Sequence, residues 1–273
     1  MLQEKFEHLK IIIQEMESVI IAFSGGVDST FLLKVAVDVL GTENVLAVTA
    51  DSETYPSSEL EEAKQFAKLI GARHQVIETS ELAIPGYAEN DQNRCYFCKK
   101  GLFEEIVPIM DENGFQNVLY GLIADDMSEH RPGVRAAIEH GVRGPLQEAN
   151  LYKDEIRELS KQLNLPTWEK PSFACLSSRI AYGQMITQEK LTKIEKSEHY
   201  LKLLGIKQVR VRTHEDIARV EVDPEDMQLV LNHHESISEK LQDFGYKFVT
   251  LDLQGYKSGS MNKALGKQET VNE

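Results

Sequence analysis

The chain has 273 residues, 41% of them apolar and 27% charged, and carries a net charge of −14. That length gives one large or two modest domains with ample core, and the balance is ordinary for a water-soluble globular protein. The negative charge argues against a general nucleic-acid binder, and no apolar run approaches the ~18–20 residues that span a bilayer.

Met1 to Glu7 lacks the basic start and apolar core of a secretory signal, and the chain's three cysteines are an odd number for a disulfide scaffold. A cytoplasmic protein is expected.

Val19 to Phe23 is an apolar run that reads as a buried strand. Ser24-Gly25-Gly26-Val27-Asp28-Ser29 follows, and Asp28-Ser29 opens a helical pattern with apolar residues at Phe31, Leu32, Val35 and Val39. A strand, a tight glycine turn and a helix N-terminus make an anion cradle, because backbone N–H groups and the helix dipole both face the ligand. Gly25 and Gly26 let the backbone approach a phosphate, and Ser24 and Ser29 add hydroxyl donors. Asp28 needs a bridging cation beside phosphates, and magnesium suits it. A plain glycine turn capped by Asp28 is the simpler alternative. The whole motif in its strand–turn–helix setting favours nucleotide binding, with Ala22 at the strand end beside it.

Further along, Asn44 to Ala50 reads as a second strand, Ser57 to Ile70 as a charged helix stopped by Gly71, and His74 to Ile77 as a third strand. Cys95 to Met110 reads as a helix, Asn117 to Tyr120 as a strand ending at Gly121, and Lys153 to Leu163 as a helix closed by Pro166. Strands alternating with helices predict a doubly wound α/β domain with a parallel sheet, over residues 1–176. Ligands in such sheets sit beyond the strand C-termini. That edge collects the Ser24–Ser29 loop, Asp51 with Ser52, and Gly121 with Asp125 and Asp126.

The character changes at Ser177 to Gly183. A helix is expected from about Thr187 to Leu204, strands at Gln208 to Arg212 and Ile217 to Val222, helical patterns from Pro224 to Phe244, and a last strand from Tyr246 to Leu253. This mixture predicts a smaller α+β domain over residues 177–273, with a polar, frayed tail from Ser258.

Cys95 and Cys98 share one face of a helix's first turn, where the dipole favours thiolates, and Cys175 lies in a small-residue stretch. A chance pair with a buried cysteine is the plain reading. A redox pair fits poorly, since no strand precedes it at the expected turn. Structural zinc would need His74, His130 or His140 as a fourth ligand, and three thiolates alone suit an iron–sulfur cluster with one open iron. Arg210 and Arg212 share a strand face. With Thr213 to Asp216 as the turn, Arg210 pairs opposite Arg219, which is unfavourable unless Glu221 or a bound phosphate neutralises them. Glu198 falls on the apolar stripe of Leu191, Ile194 and Leu201, either at its edge or as a cation ligand. His233 and His234 read as a surface pair, and Trp168 as a packing residue.

Together these residues resemble the PP-loop ATP pyrophosphatases, whose signature is the Ser-Gly-Gly-x-Asp-Ser at 24–29. Within that superfamily the chain is most similar to the LarE sulfur transferases. The likeness includes Arg131-Pro132-Gly133, Leu146 to Ala149, Ser177-Ser178-Arg179, Val209 to Arg212, Asp216 to Arg219 and Tyr246 to Gly255 with Ser258-Gly259-x-Met261-Asn262. The resemblance implies ATP and Mg2+ as cofactors, a small-molecule pyridinium biscarboxylate mononucleotide as substrate, a sulfide source and a homo-oligomer. It further implies that Ser178, Arg179, Arg210 and Arg212 hold the substrate phosphate, and that Glu198 and Glu221 belong to a cation site. Sacrificial members carry a cysteine where this chain has Ala174, and lack Cys95 and Cys98. The pattern here is similar to the three-cysteine subtype, which implies a [4Fe-4S] cluster on Cys95, Cys98 and Cys175 that delivers sulfur. A tRNA thiolase of the same superfamily, and a non-catalytic nucleotide-binding module with structural zinc, are the alternatives.

Overall fold

The computed structural model describes residues 1–128 and 132–257. His130, Arg131 and the Ser258 to Asn262 motif, with the tail expected to fray, lie outside them. The chain forms two compact units, one from Met1–Ile84 and Cys95–Phe173, the other from Pro85–Arg94 and the chain from Ala174 onward.

The first unit runs α1 (Leu2–Gln14), β1 (Val19–Ala22), α2 (Val27–Leu40), β2 (Val45–Asp51), α3 (Ser57–Ile70), β3 (Arg73–Glu78), α4 (Arg94–Asn113), β4 (Asn117–Tyr120), α5 (Pro132–Glu139), α6 (Pro145–Glu148) and α7 (Lys153–Gln162). Its four strands are parallel in the order β3-β2-β1-β4, the doubly wound α/β arrangement expected. Alternation of side chains splits β1 between two cores. Val19 and Ile21 pack with Phe31 and Leu32 of α2, Ile13 of α1 and Ile156 of α7; Ile20 and Ala22 face Phe103 and Ile106 of α4 and Ala136 of α5. After β1 the chain crosses to β2 and β3, then returns to place β4 on β1's other side. The order therefore reverses between β1 and β4, and the crevice at their C-terminal ends is where such sheets bind ligands.

In the second unit, α8 (Gln188–Leu203) is followed by β5 (Val209–His214), β6 (Ile217–Val222), α9 (Met227–Asn232), α10 (His234–Asp243) and β7 (Phe248–Leu251). The sheet order is β5-β6-β7, with β5 and β6 antiparallel and β7 parallel to β6. One expectation is corrected here. The β5–β6 turn has only two residues, Glu215 and Asp216, so Arg210 pairs with Glu221, and it is Arg212 that lies opposite Arg219. Glu215 takes a left-handed backbone, φ 52°, which tightens the turn without the glycine or asparagine that usually announces one. The segment Pro85–Arg94 is tied into this unit by buried Asn90. Its side-chain amide donates to the carbonyls of Ile180, Ala181 and Gln184, and its oxygen accepts from Arg94 (2.7 Å).

Candidate active site

The loop from Ser24 to Ser29 lies at the C-terminal end of β1 and runs into α2, whose N-cap is Gly26. Gly25 holds φ +62°, and a Cβ there would come within 3.0 Å of Ala63 in α3. The turn thus demands glycine for both conformation and space. Ser24 and Ser29 hydroxyls meet at 3.1 Å, and Ser29 also accepts from the Ser24 N–H (3.3 Å) and donates to the Gly26 carbonyl (3.3 Å). Gly121, just past β4, backs directly onto the start of α2: a Cβ would lie 3.1 Å from the Ser29 nitrogen and 3.2 Å from the Asp28 Cβ.

Asp28 is half-buried in the first turn of α2, and both its oxygens accept from Lys153 Nζ at 2.8 Å. The Lys153 N–H in turn donates to Asp125 Oδ2 (2.8 Å), while Asp126 accepts from the Ile123 N–H (3.2 Å). An anionic oxygen pair beside a helix N-terminus, already matched with a cation, has the chemistry to hold magnesium. Ser52 follows β2, its hydroxyl 3.3 Å from that of Thr54 and bonded to buried Glu81, whose carboxyl burial pushes up. From the same stretch, the Tyr55 hydroxyl donates to the Ser24 carbonyl (2.8 Å). Lys170 reaches the Gly25 carbonyl (3.2 Å) while pairing with Glu59 and Glu62 at 2.7 Å. Lys153, Tyr55 and Lys170 were not found by sequence reasoning. Their partners lie up to 145 residues away, so no local spacing signals them.

The second unit holds an arginine-rich cluster. Arg179, 1% exposed, donates through Nε and Nη2 to the two oxygens of Glu198, both at 2.9 Å. Glu198 Oε1 also accepts the Val211 N–H (2.9 Å). Burial works against the Glu198 charge, but Arg179 and Arg210 hold its carboxyl below the usual carboxylate value. Glu221, 1% exposed, accepts from Arg212 (3.0 Å) and Arg219 (2.9 Å). Both carboxylates named as cation ligands are therefore engaged with guanidiniums. Arg210 donates to the Val209 carbonyl (2.8 Å), and its guanidinium lies 5.2 Å from the Tyr256 ring. Burial and neighbouring Arg179 pull its pKa below the ordinary guanidinium value. Among the described residues, buried Arg179, Arg210 and Arg212 thus gather around buried Glu198 and Glu221. A cluster of buried guanidiniums has the chemistry to take a phosphate or carboxylate ligand. Ser178 links the cluster: its hydroxyl accepts from Arg179 and its carbonyl from Arg212, both at 3.0 Å.

Cys95 and Cys98 lie one turn apart at the start of α4 in the first unit, and Cys175 precedes the 3₁₀ turn Leu176–Arg179 in the second. None of the three is in a disulfide, and the Cys175 carbonyl accepts from Arg179 (3.0 Å). A Cβ at Gly133 would meet the Lys99 side chain at 3.0 Å and the Cys95 carbonyl at 3.5 Å, so the Pro132-Gly133 motif abuts the cysteine turn. Among the described residues no three His, Cys, Asp or Glu side chains are gathered as a preformed metal site. His74 and His140 are engaged elsewhere, His74 Nε2 with the Thr49 hydroxyl and His140 Nδ1 with the Ala136 carbonyl, each at 2.8 Å. His233 and His234 are exposed around the α9–α10 junction, and Trp168 packs under Lys161. Among the described residues no helix is long and apolar enough to cross a membrane.

A parallel sheet whose switch point carries Ser-Gly-Gly-x-Asp-Ser defines a PP-loop nucleotide-dependent enzyme, and the NAD synthase family model matches residues 2–96. A partial likeness of the same kind is to the NH(3)-dependent NAD(+) synthetase of Methanococcoides burtonii, 27% identical over 55% of this chain and 59% of that one. Other relatives match almost end to end. An uncharacterised protein of Synechocystis sp. is 44% identical over 98% of this chain and 100% of its own length. The pyridinium-3,5-bisthiocarboxylic acid mononucleotide synthase of Lactiplantibacillus plantarum is 38% identical over 94% of this chain and 93% of its own. The chain belongs to the family of that synthase, the LarE family.

Proposed function

We propose that this chain is an ATP-dependent sulfur transferase that converts a carboxylate of pyridinium biscarboxylic acid mononucleotide to a thiocarboxylate, in nickel-pincer nucleotide cofactor biosynthesis. The observation that carries the reading is the match to a synthase of that product class across both units, rather than over the nucleotide-binding half alone. A carboxylate is a poor electrophile until one oxygen leaves with a phosphoryl group. In the first step a carboxylate oxygen attacks the ATP α-phosphorus, the bond to the β-phosphate oxygen breaks, and pyrophosphate departs. Sulfide then adds to the acyl-adenylate carbon, and AMP leaves with the former carboxylate oxygen.

The Ser24–Ser29 loop receives the triphosphate, with Ser24 and Ser29 hydroxyls beside its backbone donors. Asp28 would hold magnesium, which supplies charge compensation as pyrophosphate leaves. Arg210, Arg212, Ser178 and Arg179 take the substrate phosphate, which the clustered guanidiniums can hydrogen-bond. Cys95, Cys98 and Cys175 would hold a [4Fe-4S] cluster, which supplies sulfide to the acyl-adenylate.

Turnover with ATP, magnesium, sulfide and the biscarboxylate mononucleotide, read by mass spectrometry, tests this. The expected product exchanges oxygen for sulfur and forms AMP and pyrophosphate stoichiometrically, with the protein mass unchanged. A loss of about 34 Da from Cys175 would instead mark sacrificial chemistry, since a cysteine becoming dehydroalanine loses hydrogen sulfide. Cys95→Ala is expected to abolish both the visible absorption of anaerobically purified protein and sulfur transfer, while ATP–pyrophosphate exchange persists.

A further inference from the structure

We propose that Glu53 and Glu81 share one proton, and that this carboxyl pair positions the phosphate loop through the turn from Ser52 to Tyr55. Glu81 is then a positioning residue of the ATP site, an inference that rests on reading the Ser24–Ser29 loop as that site. The pair lies at the ligand edge of the sheet, where Glu53 follows β2 and Glu81 opens the 3₁₀ turn Glu81–Ala83 after β3. The two segments brace each other. Glu53 Oε1 accepts from the hydroxyl of Ser80, the neighbour of Glu81. Glu81 accepts from the hydroxyls of Ser52 and Thr54, the neighbours of Glu53. Each carboxyl keeps its Oε2 enclosed and without a hydrogen-bond partner among the described residues, and Glu81 as a whole is 8% exposed. An enclosed carboxylate oxygen with no donor is costly, and two neighbouring carboxylates resist ionising together. One proton between them gives both oxygens a partner, as in other carboxyl dyads.

The charges around the pair favour retention of that proton. Asp51 and Glu53 come from β2 and its turn, Glu78 and Glu81 from β3 and its turn, and Glu59 and Glu62 from α3, where Lys170 pairs with both. On α4, which Ile84 abuts at Gly101, Lys100 is paired with Glu104 (3.6 Å). Glu53 is the charge that acts on Glu81, and it has the same sign. Burial pushes the Glu81 carboxyl up, the Ser52 hydroxyl opposes the rise, and Glu53 adds to it. The bracing is therefore complete at lower pH and lost as the pH rises through the folded-state value of Glu81. The braced turn leads straight to the phosphate loop. The Tyr55 N–H closes it on the Ser52 carbonyl (3.1 Å), and the Tyr55 hydroxyl donates to the Ser24 carbonyl (2.8 Å). A trans peptide sets its C=O and N–H on opposite sides, so this bond fixes the direction of the Gly25 N–H, one of the cradle's donors.

Infrared spectroscopy of the nucleotide-free protein tests the proton directly. A protonated-carboxyl C=O band is expected at pH 7, where ordinary carboxyls with pKa values of about 4 are ionised. It should vanish as the pH is raised and be missing from Glu81→Gln. The titration of the band needs no variant to fold. For the positioning role, Glu81→Ala is expected to raise amide hydrogen exchange across residues 24–29 and to slow ATP–pyrophosphate exchange by about 10²-fold, the effect of a misplacement near 1 Å. Glu81→Gln, whose amide donates where the shared proton did, should recover most of that loss and abolish the fall in rate that the unaltered protein shows at alkaline pH. No band at pH 7 would mean two ionised carboxylates and overturns the proposal. So does a Glu81→Gln protein as slow as Glu81→Ala, which would give Glu81 the role of a charge. Unchanged hydrogen exchange at 24–29 in Glu81→Ala also overturns it, because the pair would then brace the sheet edge alone. Absence of ATP–pyrophosphate exchange in the unaltered protein would count against the proposed function instead, since the band and the hydrogen exchange require neither ATP nor sulfur acceptor.

Discussion

At Gly121 a single methyl group would press on the Ser29 nitrogen at 3.1 Å and on Asp28, displacing the first turn of α2 rather than any part of the core. Gly121→Ala is therefore expected to slow ATP–pyrophosphate exchange by up to about 10²-fold, as misplacements near 1 Å do, with little change in melting temperature. Exchange kinetics and thermal melting on the same preparation check this. Glu198 gives the opposite profile. Its carboxyl is held below the usual value by Arg179, so its stabilising contribution is present above the ordinary carboxylate pKa of about 4.3 and is lost as the pH falls through the lower folded-state value. Glu198→Gln is expected to cost about 3 kcal/mol at neutral pH, because it strands the buried Arg179 charge. The gap should close in acid, and urea unfolding from pH 7 down to pH 3 measures it. At this scale the loop was legible and its partners were not. Ser24 to Ser29 are contiguous, so their chemistry is visible in order, whereas Lys153 and Lys170 reach the loop only once α7 and the turn after it have packed.

Among the elements, the Pro85–Arg94 segment depends on one residue. Asn90 is fully buried with φ 56° and holds three carbonyls of the Ile180 to Gln184 turn through its amide. Asn90→Ala is expected to destabilise the protein by about 3 kcal/mol through unpaired buried acceptors, and to raise amide exchange in 177–186 before elsewhere. Asn90→Gly, which keeps the backbone conformation without strain, separates the hydrogen bonds from the dihedral cost. The β5–β6 hairpin shows why register is harder to read than strand existence. Alternation put Arg210 and Arg212 on one face correctly, but the partner of each was set by a turn whose Glu215 carries no turn signal. The apolar stripe of α8 likewise located Glu198 among buried residues, while its use as the counter-ion of Arg179 required the fold.

For the whole molecule, the net charge of −14 sets the long-range field. Arg179 and Arg212 are buried and turned onto Glu198 and Glu221, which leaves them unavailable to a polynucleotide surface. Transfer RNA is expected to bind no better than about 10⁻⁴ M at physiological salt, the weak end of non-specific association. Filter binding across a salt series checks this, and a steep salt slope with micromolar affinity would favour the thiolase alternative. The alternating first half was legible in the sequence because helix and strand periods differ. The assignment of Pro85–Arg94 to the second unit was not, because a proline and glycine followed by the polar run Glu89 to Arg94 look like any surface loop.

That assignment governs how the chain is made. Tyr87, Asn90 and Arg94 leave the ribosome long before the residues they bury against, since the Tyr87 hydroxyl donates to Ser177 and Arg94 to the Ser177 carbonyl. The segment must wait, unsatisfied, while some ninety residues are synthesised behind it. Neither unit is a continuous stretch of polypeptide, so no single cut yields two foldable halves. Synthesis of the last hundred residues thus finishes a structure begun before the first sheet is complete.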